Sequence, residues 1–173
     1  MITSAYIKLT DYSGKQIMGD SEVKGHEHEI VLLHWGFSAV QAINIGSQAS
    51  GAGAGKVTFN PLRITKLIDK ASPTLFTACC TGRPFKDAVL SLTRSVGEDS
   101  ATTTFFTIDA KLAAIKSITY GEGDDPTEII EFECGGIVLT YTPLSRDGKT
   151  GAAVTGGWNR VRNVQMSGSD SIT

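Results

Sequence analysis

Three histidines are the residues of this chain best suited to bind a metal ion. His26 and His28 stand two positions apart, each followed by a glutamate, Glu27 and Glu29, and His34 shares their parity. In an extended strand, residues two apart project to one face, so His26 and His28 could share an ion, whereas His34 would lie ~20 Å from His28. Two nitrogen ligands are fewer than a zinc site uses. The pattern therefore favours solvated histidines at the start of a strand, and no metal is expected.

The glycine-rich segment that ends at Gly55 and Lys56 can be compared with a phosphate-binding loop. That motif requires glycine where Ser50 stands and serine or threonine where Val57 stands, and it must begin a helix, whereas a strand is expected here. The dinucleotide-binding fingerprint fails as well, because Lys56 occupies the position of its last glycine. No nucleotide or other cofactor is therefore predicted.

Two further pairs of residues were candidates for catalysis. Cys79 and Cys80 lie at the C-terminal end of a predicted helix, whereas reactive thiolates favour helix N-termini or cationic neighbours, so both are interpreted as buried packing residues. Asp69 and Lys70 are interpreted as a helix start and a surface charge rather than as an acid and a base. Without a catalytic triad, a paired carboxylate or a metal cluster, the chain is not predicted to be an enzyme.

The segment 56–82 changes from a strand-like to a helix-like pattern. Ser72 and Pro73 are typical of a helix start, because a serine side chain can accept from free backbone N–H groups and proline fits the first turn. Gly82 can adopt the left-handed conformation that ends a helix. We therefore predict a helix over residues 72–81, with Ser72 as its N-cap, that covers the outer wall of a β-sheet.

The rest of the chain has the patterns of β-strands. Residues 4–10 alternate between apolar and polar side chains, and 27–35 are apolar on both faces, which predicts a strand that is buried on both sides. Further strands are predicted over residues 37–45, 85–94, 101–110, 113–120 and 127–142. Gly36 is expected to kink its strand, and Gly135 with Gly136 is expected to form a bulge. The prediction is a mainly β protein, an antiparallel twisted β-barrel of two packed sheets with one short flanking α-helix.

Composition limits the classes of partner. At 173 residues the chain is expected to form one domain, 1–173, with a flexible loop at 46–56 and a loosely ordered C-terminal tail at about 159–173. A formal charge of −2 disfavours nucleic acid, and no apolar run is long enough for membrane insertion. Without a recognisable signal peptide, synthesis in the cytoplasm is expected. Three cysteines do not suggest a disulfide framework, and the residues alone favour a binding or assembly protein.

A series of short motifs resembles one known family. The motifs are, in order, His26-x-x-Glu29-Ile30, Trp35-Gly36-Phe37, Lys56-Val57, Thr65-Lys66-x-Ile68-Asp69-Lys70-x-Ser72-Pro73-x-Leu75, Gly82, a late strand ending at Tyr141, and Gly157-Trp158. They run over nearly the whole chain and are similar to those of the haemolysin-coregulated protein (Hcp) family, the inner-tube proteins of the bacterial type VI secretion system.

The resemblance implies a structural protein that assembles with itself. Six copies would close into a ring with a wide channel, and rings would stack into a tube. A contractile sheath would propel this tube, tipped by the spike protein VgrG, out of a bacterium, and effector proteins would be carried in its lumen. We expect the glycine-rich loop to contact the next ring, because it is long and carries no core residues. Its residues in this hypothesis are Gly46, Ser47, Gln48, Gly51, Gly53, Gly55 and Lys56.

The chain departs from the family pattern at two places. Gly36 stands where many relatives carry a polar residue between two aromatics, so a lumen contact that relatives make there is not carried over to this chain. The loop 46–55 mixes Ser, Gln and Ala into what is often a purer glycine run. The alternatives are a phage-tail-tube-like ring protein, which would share the fold and the ring, and a monomeric or dimeric β-sandwich module that binds sugar or peptide.

Overall fold

The fold is mainly β and antiparallel with one helix, as predicted. The computed structural model describes residues 3–43, 55–95, 102–145 and 149–172. The elements in chain order are β1 (Thr3–Thr10), β2 (Ile30–Leu32), β3 (His34–Gly36), β4 (Ala39–Val40), β5 (Thr58–Phe59), β6 (Leu62–Leu67), α1 (Ser72–Thr81), β7 (Phe85–Ser95), β8 (Thr102–Gly121), β9 (Thr127–Tyr141), β10 (Val154–Asn159) and β11 (Val164–Gln165).

The strands of the main sheet form one antiparallel series in which each strand pairs with the next. The pairing runs β1–β7–β8–β9–β6–β3, and β2 pairs with the free side of β1. β2 and β3 are separated only by Leu33, whose N–H donates to the carbonyl of Thr65 in β6 at 2.8 Å. β9 also changes partner along its length, because its first half pairs with β6 and its second half with β10. The strands therefore enclose a core filled by alternate side chains.

Alternation explains which residues form that core. Ile7 and Leu9 of β1 are fully buried, and so are Leu62 and Ile64 of β6, whereas the residue between each pair is exposed. Successive side chains of a strand point to opposite faces, so a strand with one buried face shows this period of two. From α1, Leu75 and Ala78 enter the same core.

Three predictions about the strands are wrong. The segment 27–35 is not buried on both sides, because Val31 and Leu33 are exposed while Ile30 and Leu32 are buried. The two strands predicted over 101–110 and 113–120 form the single strand β8 of 20 residues. The bulge expected at Gly135 and Gly136 lies elsewhere, since the register of β8 and β9 shifts between Ile115 and Ser117.

Helix α1 has the predicted bounds, but its first turn is built differently. Gly82 has a φ of 64°, and its N–H donates to the carbonyl of Cys79 at 3.2 Å, which closes the helix as predicted. The prediction that Ser72 caps the helix is wrong, because the N-cap position is Ala71 and no side chain caps it. The hydroxyl of Ser72 is used instead in a buried network described below.

Two apolar residues of the C-terminal segment pack against the sheet. Met166 and Ile172 are buried in a small cluster with Val138, separate from the main core. Glycine makes room for them, since a Cβ on Gly136 would lie 2.6 Å from the Met166 Sδ and 2.7 Å from the Ile172 Cδ1. The loosely ordered tail over 159–173 stays a prediction, within which Met166 and Ile172 fit into the site that Gly136 leaves open.

Candidate assembly surfaces

The family motif around Lys66 forms a buried ionic network. Lys66 of β6 lies directly opposite Glu128 of β9, and neither side chain has exposed surface. The Lys66 ammonium donates to Glu128 Oε1 and contacts Asp69 Oδ1 at 2.8 Å. The Ser72 hydroxyl donates to Glu128 Oε1 at 2.6 Å and accepts from the Asp69 N–H at 3.0 Å. The network therefore ties the start of α1 to two neighbouring strands.

This network is structural and not catalytic. Its charged groups are shielded from solvent, and a reacting group must be accessible to a substrate. A buried pair of this kind is strongly destabilising when one partner is removed, because the other charge is left without compensation. Asp69 additionally accepts from the N–H of Ala71 at 2.9 Å, which shapes the turn before α1. The motif thus fixes the helix relative to the sheet.

The other residues of the motif lie on the surface or in regular secondary structure, outside the buried network. Lys70 is exposed and paired with Asp20 at 3.1 Å, which agrees with its interpretation as a surface charge. Thr65 lies in β6 opposite His34, and Pro73 follows Ser72 in the first turn of α1. Trp158 lies in β10 and packs against the core, as expected of a large anchor.

The structure places His26 in a buried site that the sequence did not reveal. Its ring stacks on Tyr6 with centroids 4.5 Å apart, and Nδ1 lies 2.8 Å from Glu29 Oε2. Nε2 lies 3.2 Å from the Thr104 hydroxyl of β8. The prediction of solvated histidines is therefore wrong for His26. Residues 26–29 form turns and not an extended strand, so the shared face on which a metal pair depended does not exist.

The order of carboxylate, imidazole and hydroxyl in this site matches that of a hydrolase triad, but the geometry does not favour catalysis. His26 is buried, and Thr104 is not among the lining residues of any described cavity. Throughout residues 3–43, 55–95, 102–145 and 149–172, no three His, Cys, Asp or Glu side chains lie close enough to hold a metal ion. The site fastens the 19–29 loop to the sheet.

The cysteines differ from one another. Cys134 is buried, Cys79 is half-buried and Cys80 is exposed, so the prediction of packing residues is wrong for Cys80. Burial raises the pKa of the Cys134 thiol to about 12. Cys134 is therefore an unreactive thiol in the folded chain.

Two of the exposed apolar surfaces among the described residues lie on strands of the main sheet. Val31 and Leu33 form one beside β2, and Leu139, Tyr141 and Val154 form the other at the end of β9 and β10. Next to the second surface, β11 pairs only with Trp158 and Asn159, so residues 154–156 of β10 have no partner on that side within the described chain. Unpaired strand edges and apolar patches are features of surfaces on which another chain docks.

The predicted stacking loop lies mostly outside the described residues. This applies to Gly46, Ser47, Gln48, Gly51 and Gly53. Gly55 and Lys56 are described, at the return of the loop toward β5, and the Gly55 N–H donates to the Ala42 carbonyl at 3.1 Å. The described chain thus shows where the loop leaves and returns.

Comparison with known proteins identifies the family. The model of the family described as "Type VI secretion system effector, Hcp" matches residues 6–141. The chain belongs to the Hcp family. It is 33% identical to Protein hcp1 of Pseudomonas aeruginosa over 167 residues, which is 95% of this chain and 99% of that protein.

Solved structures agree with the Hcp fold. One solved structure, described as that of a type six secretion system protein, superposes with a TM-score of 0.83 at 26% identity. The match covers 95% of this chain and 100% of the chain in that structure. Hcp1 from Salmonella typhimurium superposes with a TM-score of 0.74 at 21% identity. That match covers 96% of this chain and 100% of the Salmonella chain. The Hcp family is one of secreted proteins of the type VI secretion system. The single helix of the described residues is too short to cross a membrane.

Proposed function

We propose that this Hcp chain is a structural subunit of the type VI secretion inner tube. Copies close into a ring of six around a channel, and the rings stack into a tube. The partners of such a subunit are the spike protein VgrG at the tube's tip, the contractile sheath around it, and effector proteins in its lumen. The tube is assembled in the bacterial cytoplasm and exported by contraction of the sheath.

The observation that carries this proposal is that two different exposed apolar surfaces lie on the main sheet of a chain that belongs to the Hcp family. The surface of Val31 and Leu33 differs from the surface of Leu139, Tyr141 and Val154. A ring needs a heterologous interface, in which one patch meets a different patch on the neighbour. Two different exposed apolar surfaces and an unpaired strand edge meet this requirement. A single self-complementary surface would instead favour a symmetric dimer.

Native mass spectrometry and negative-stain electron microscopy test the ring. Wild-type protein is expected to give a six-copy species and ring-shaped particles. Val154→Asp places a charge on a side chain that is 68% exposed in the single chain and is expected to leave monomers. Val164→Asp, on the exposed edge strand β11, is the matched control and is expected to keep the rings. A wild-type protein that stays monomeric at high concentration refutes the proposal and favours the β-sandwich binding module.

Stacking is a second contact, which we assign to the loop 46–56. Deletion of residues 51–55 is expected to leave rings intact and to abolish tubes, because this Gly-Ala-Gly-Ala-Gly segment has no large apolar side chain with which to build a core. Electron microscopy distinguishes the two assemblies. Tubes that form as before from the deleted protein contradict this role.

A further inference from the structure

A cleft with a volume of about 330 Å³ lies between helix α1 and the turn that follows β1. Asp11 and Ile17 line it from the turn, and Arg83 and Phe85 line it from the segment that leaves α1. The Ile17 N–H donates to the Leu9 carbonyl at 2.9 Å, which fastens the turn to the end of β1. The cleft therefore lies between two walls of ordered backbone, and its volume is at the lower end of the range of small-molecule sites.

The lining of the cleft is largely apolar, although threonines of α1 contribute to it. Ala78 and Phe85 line it and are buried, and Pro73 adds an apolar ring. The Thr77 hydroxyl donates to the Pro73 carbonyl at 3.0 Å, and the Thr81 hydroxyl donates to the Thr77 carbonyl at 2.9 Å. Both hydroxyl protons are thus used within the helix and are not available to a ligand. The lining therefore favours contact with an apolar side chain.

Asp11 places a negative charge on one wall of the cleft. Its Oδ1 atom accepts from the Ser13 hydroxyl at 2.6 Å, from the Ser13 N–H at 2.9 Å and from the Lys15 N–H at 2.9 Å. These hydrogen bonds, first of all the one from the Ser13 hydroxyl, hold the pKa of Asp11 below its ordinary value. All of them use one oxygen, and Oδ2 has no hydrogen-bond partner among the described residues. The carboxylate is therefore ionised at neutral pH and keeps one oxygen free.

Arg83 places a positive charge on the other wall. Its N–H donates to the Ala78 carbonyl at 3.1 Å, which fixes its backbone just beyond the end of α1. Within the described parts of the chain its guanidinium forms no ion pair, either with Asp11 or with another carboxylate. A planar guanidinium matches the geometry of a carboxylate, with which it forms two parallel hydrogen bonds. Two opposite charges thus line one cleft without pairing with each other.

We infer that this cleft binds a free α-amino acid with an apolar side chain, such as leucine. The ammonium group of the ligand pairs with Asp11, and its carboxylate pairs with Arg83. Its side chain packs against Ile17, Ala78 and Phe85. A zwitterion neutralises both walls at once, whereas a ligand with a single charge leaves the other wall without a partner. All of these residues belong to one chain, so the site is separate from the contacts that build the proposed tube.

Saturation-transfer difference NMR with L-leucine tests the site, because the method detects weak binding to a protein in any state of assembly. The leucine methyl signals are expected to show transfer that saturates with ligand concentration. Leucinamide lacks the carboxylate and N-acetyl-leucine lacks the ammonium group, so each is expected to bind at least about fivefold more weakly. Glycine, which has both charges but no side chain, is expected to bind at least about fivefold more weakly as well. The absence of saturable transfer from leucine, or equal binding of the four compounds, overturns the inference.

Two variants assign the contacts to the two walls. Arg83→Met is expected to weaken leucine at least about fivefold and to leave leucinamide unchanged, because that ligand has no carboxylate. Asp11→Asn keeps an oxygen for the bonds that form the turn. It is expected to weaken leucine by a similar factor and to leave N-acetyl-leucine unchanged.

The matched control is Arg162→Met, which removes an exposed guanidinium outside the cleft and is expected to keep the affinity for leucine. Circular dichroism of each variant checks that the fold is retained. Unchanged leucine binding in Arg83→Met and Asp11→Asn overturns the inference. A variant of the cleft that keeps the fold but weakens all four compounds by the same factor contradicts the assigned pairing.

Discussion

The buried pair of Lys66 and Glu128 allows a sharp prediction about stability. Lys66→Met removes the cation and leaves the carboxylates of Glu128 and Asp69 close together without a counter-charge. Removal of one partner of a buried pair costs about 3–5 kcal/mol. Glu128→Gln is expected to cost less, about 1–3 kcal/mol, because Asp69 at 2.8 Å still neutralises Lys66. The order of the two losses therefore follows from the position of Asp69.

The assay is urea unfolding under conditions in which the oligomeric state is held constant, since assembly adds its own stabilisation. Lys70→Met is the matched control, because Lys70 pairs with Asp20 on the exposed surface, where a pair contributes at most about 1 kcal/mol. The double variant Lys66→Met/Glu128→Leu is expected to recover most of the loss, since apolar residues can replace a buried pair. The reasoning is refuted if Lys66→Met lowers the free energy of unfolding by no more than Lys70→Met does. It is also refuted if the double variant loses as much stability as Lys66→Met and Glu128→Leu, each measured alone, lose together.

Two further predictions concern the C-terminal residues and the thiols. Gly136→Ala is expected to cost about 1–3 kcal/mol and to speed hydrogen exchange in residues 166–172, because its Cβ would overlap Met166 and Ile172. Gly156→Ala, where a Cβ meets no atom within 4 Å, is the control, and equal exchange in the two variants contradicts the packing. The folded protein is labelled with Ellman's reagent at about pH 8, below the concentration at which copies associate. Cys80 is expected to react first. Cys134 is expected to react only after unfolding, since its pKa is raised to about 12. Labelling of folded Cys134 at the rate of Cys80, measured by peptide mass spectrometry, contradicts this.

Local patterns were sufficient to predict the elements whose form depends on neighbours in sequence. The alternation of Ile7 and Leu9 predicted β1, and Gly82 correctly marked the end of α1. These signals are local because a strand face and a helix end each depend on a few consecutive residues. The bounds of α1 followed from the same kind of signal.

The polar interior could not be predicted from single segments, although one signal was present. Lys66 shares the parity of Leu62 and Ile64, and Glu128 shares that of Ile130 and Phe132, so each charge lies on a core face of its strand. Neither strand alone shows that the two charges meet, because their pairing joins residues 62 positions apart. Ser72 was interpreted as a cap for the same reason, since its acceptor Glu128 lies on a distant strand.

His26 illustrates a different failure. An extended backbone was assumed for residues 26–28, but His28 has a φ of 63° and the segment turns. That turn brings the His26 ring onto Tyr6, twenty residues earlier in the chain. A polar, glycine-bearing segment without periodicity gives no indication of such a contact. The metal hypothesis and the solvated interpretation were both based on the wrong backbone.

The strand predicted to be buried on both faces is the error with the most bearing on function. Val31 and Leu33 are apolar in a position that the single chain leaves exposed, and Val40 of β4 and Ile43 are exposed as well. A protein that acts alone has little reason to keep these side chains exposed, since a large exposed apolar surface favours association. In the proposed ring a neighbouring copy would cover Val31 and Leu33, which would account for the apolar residues on both faces of this segment.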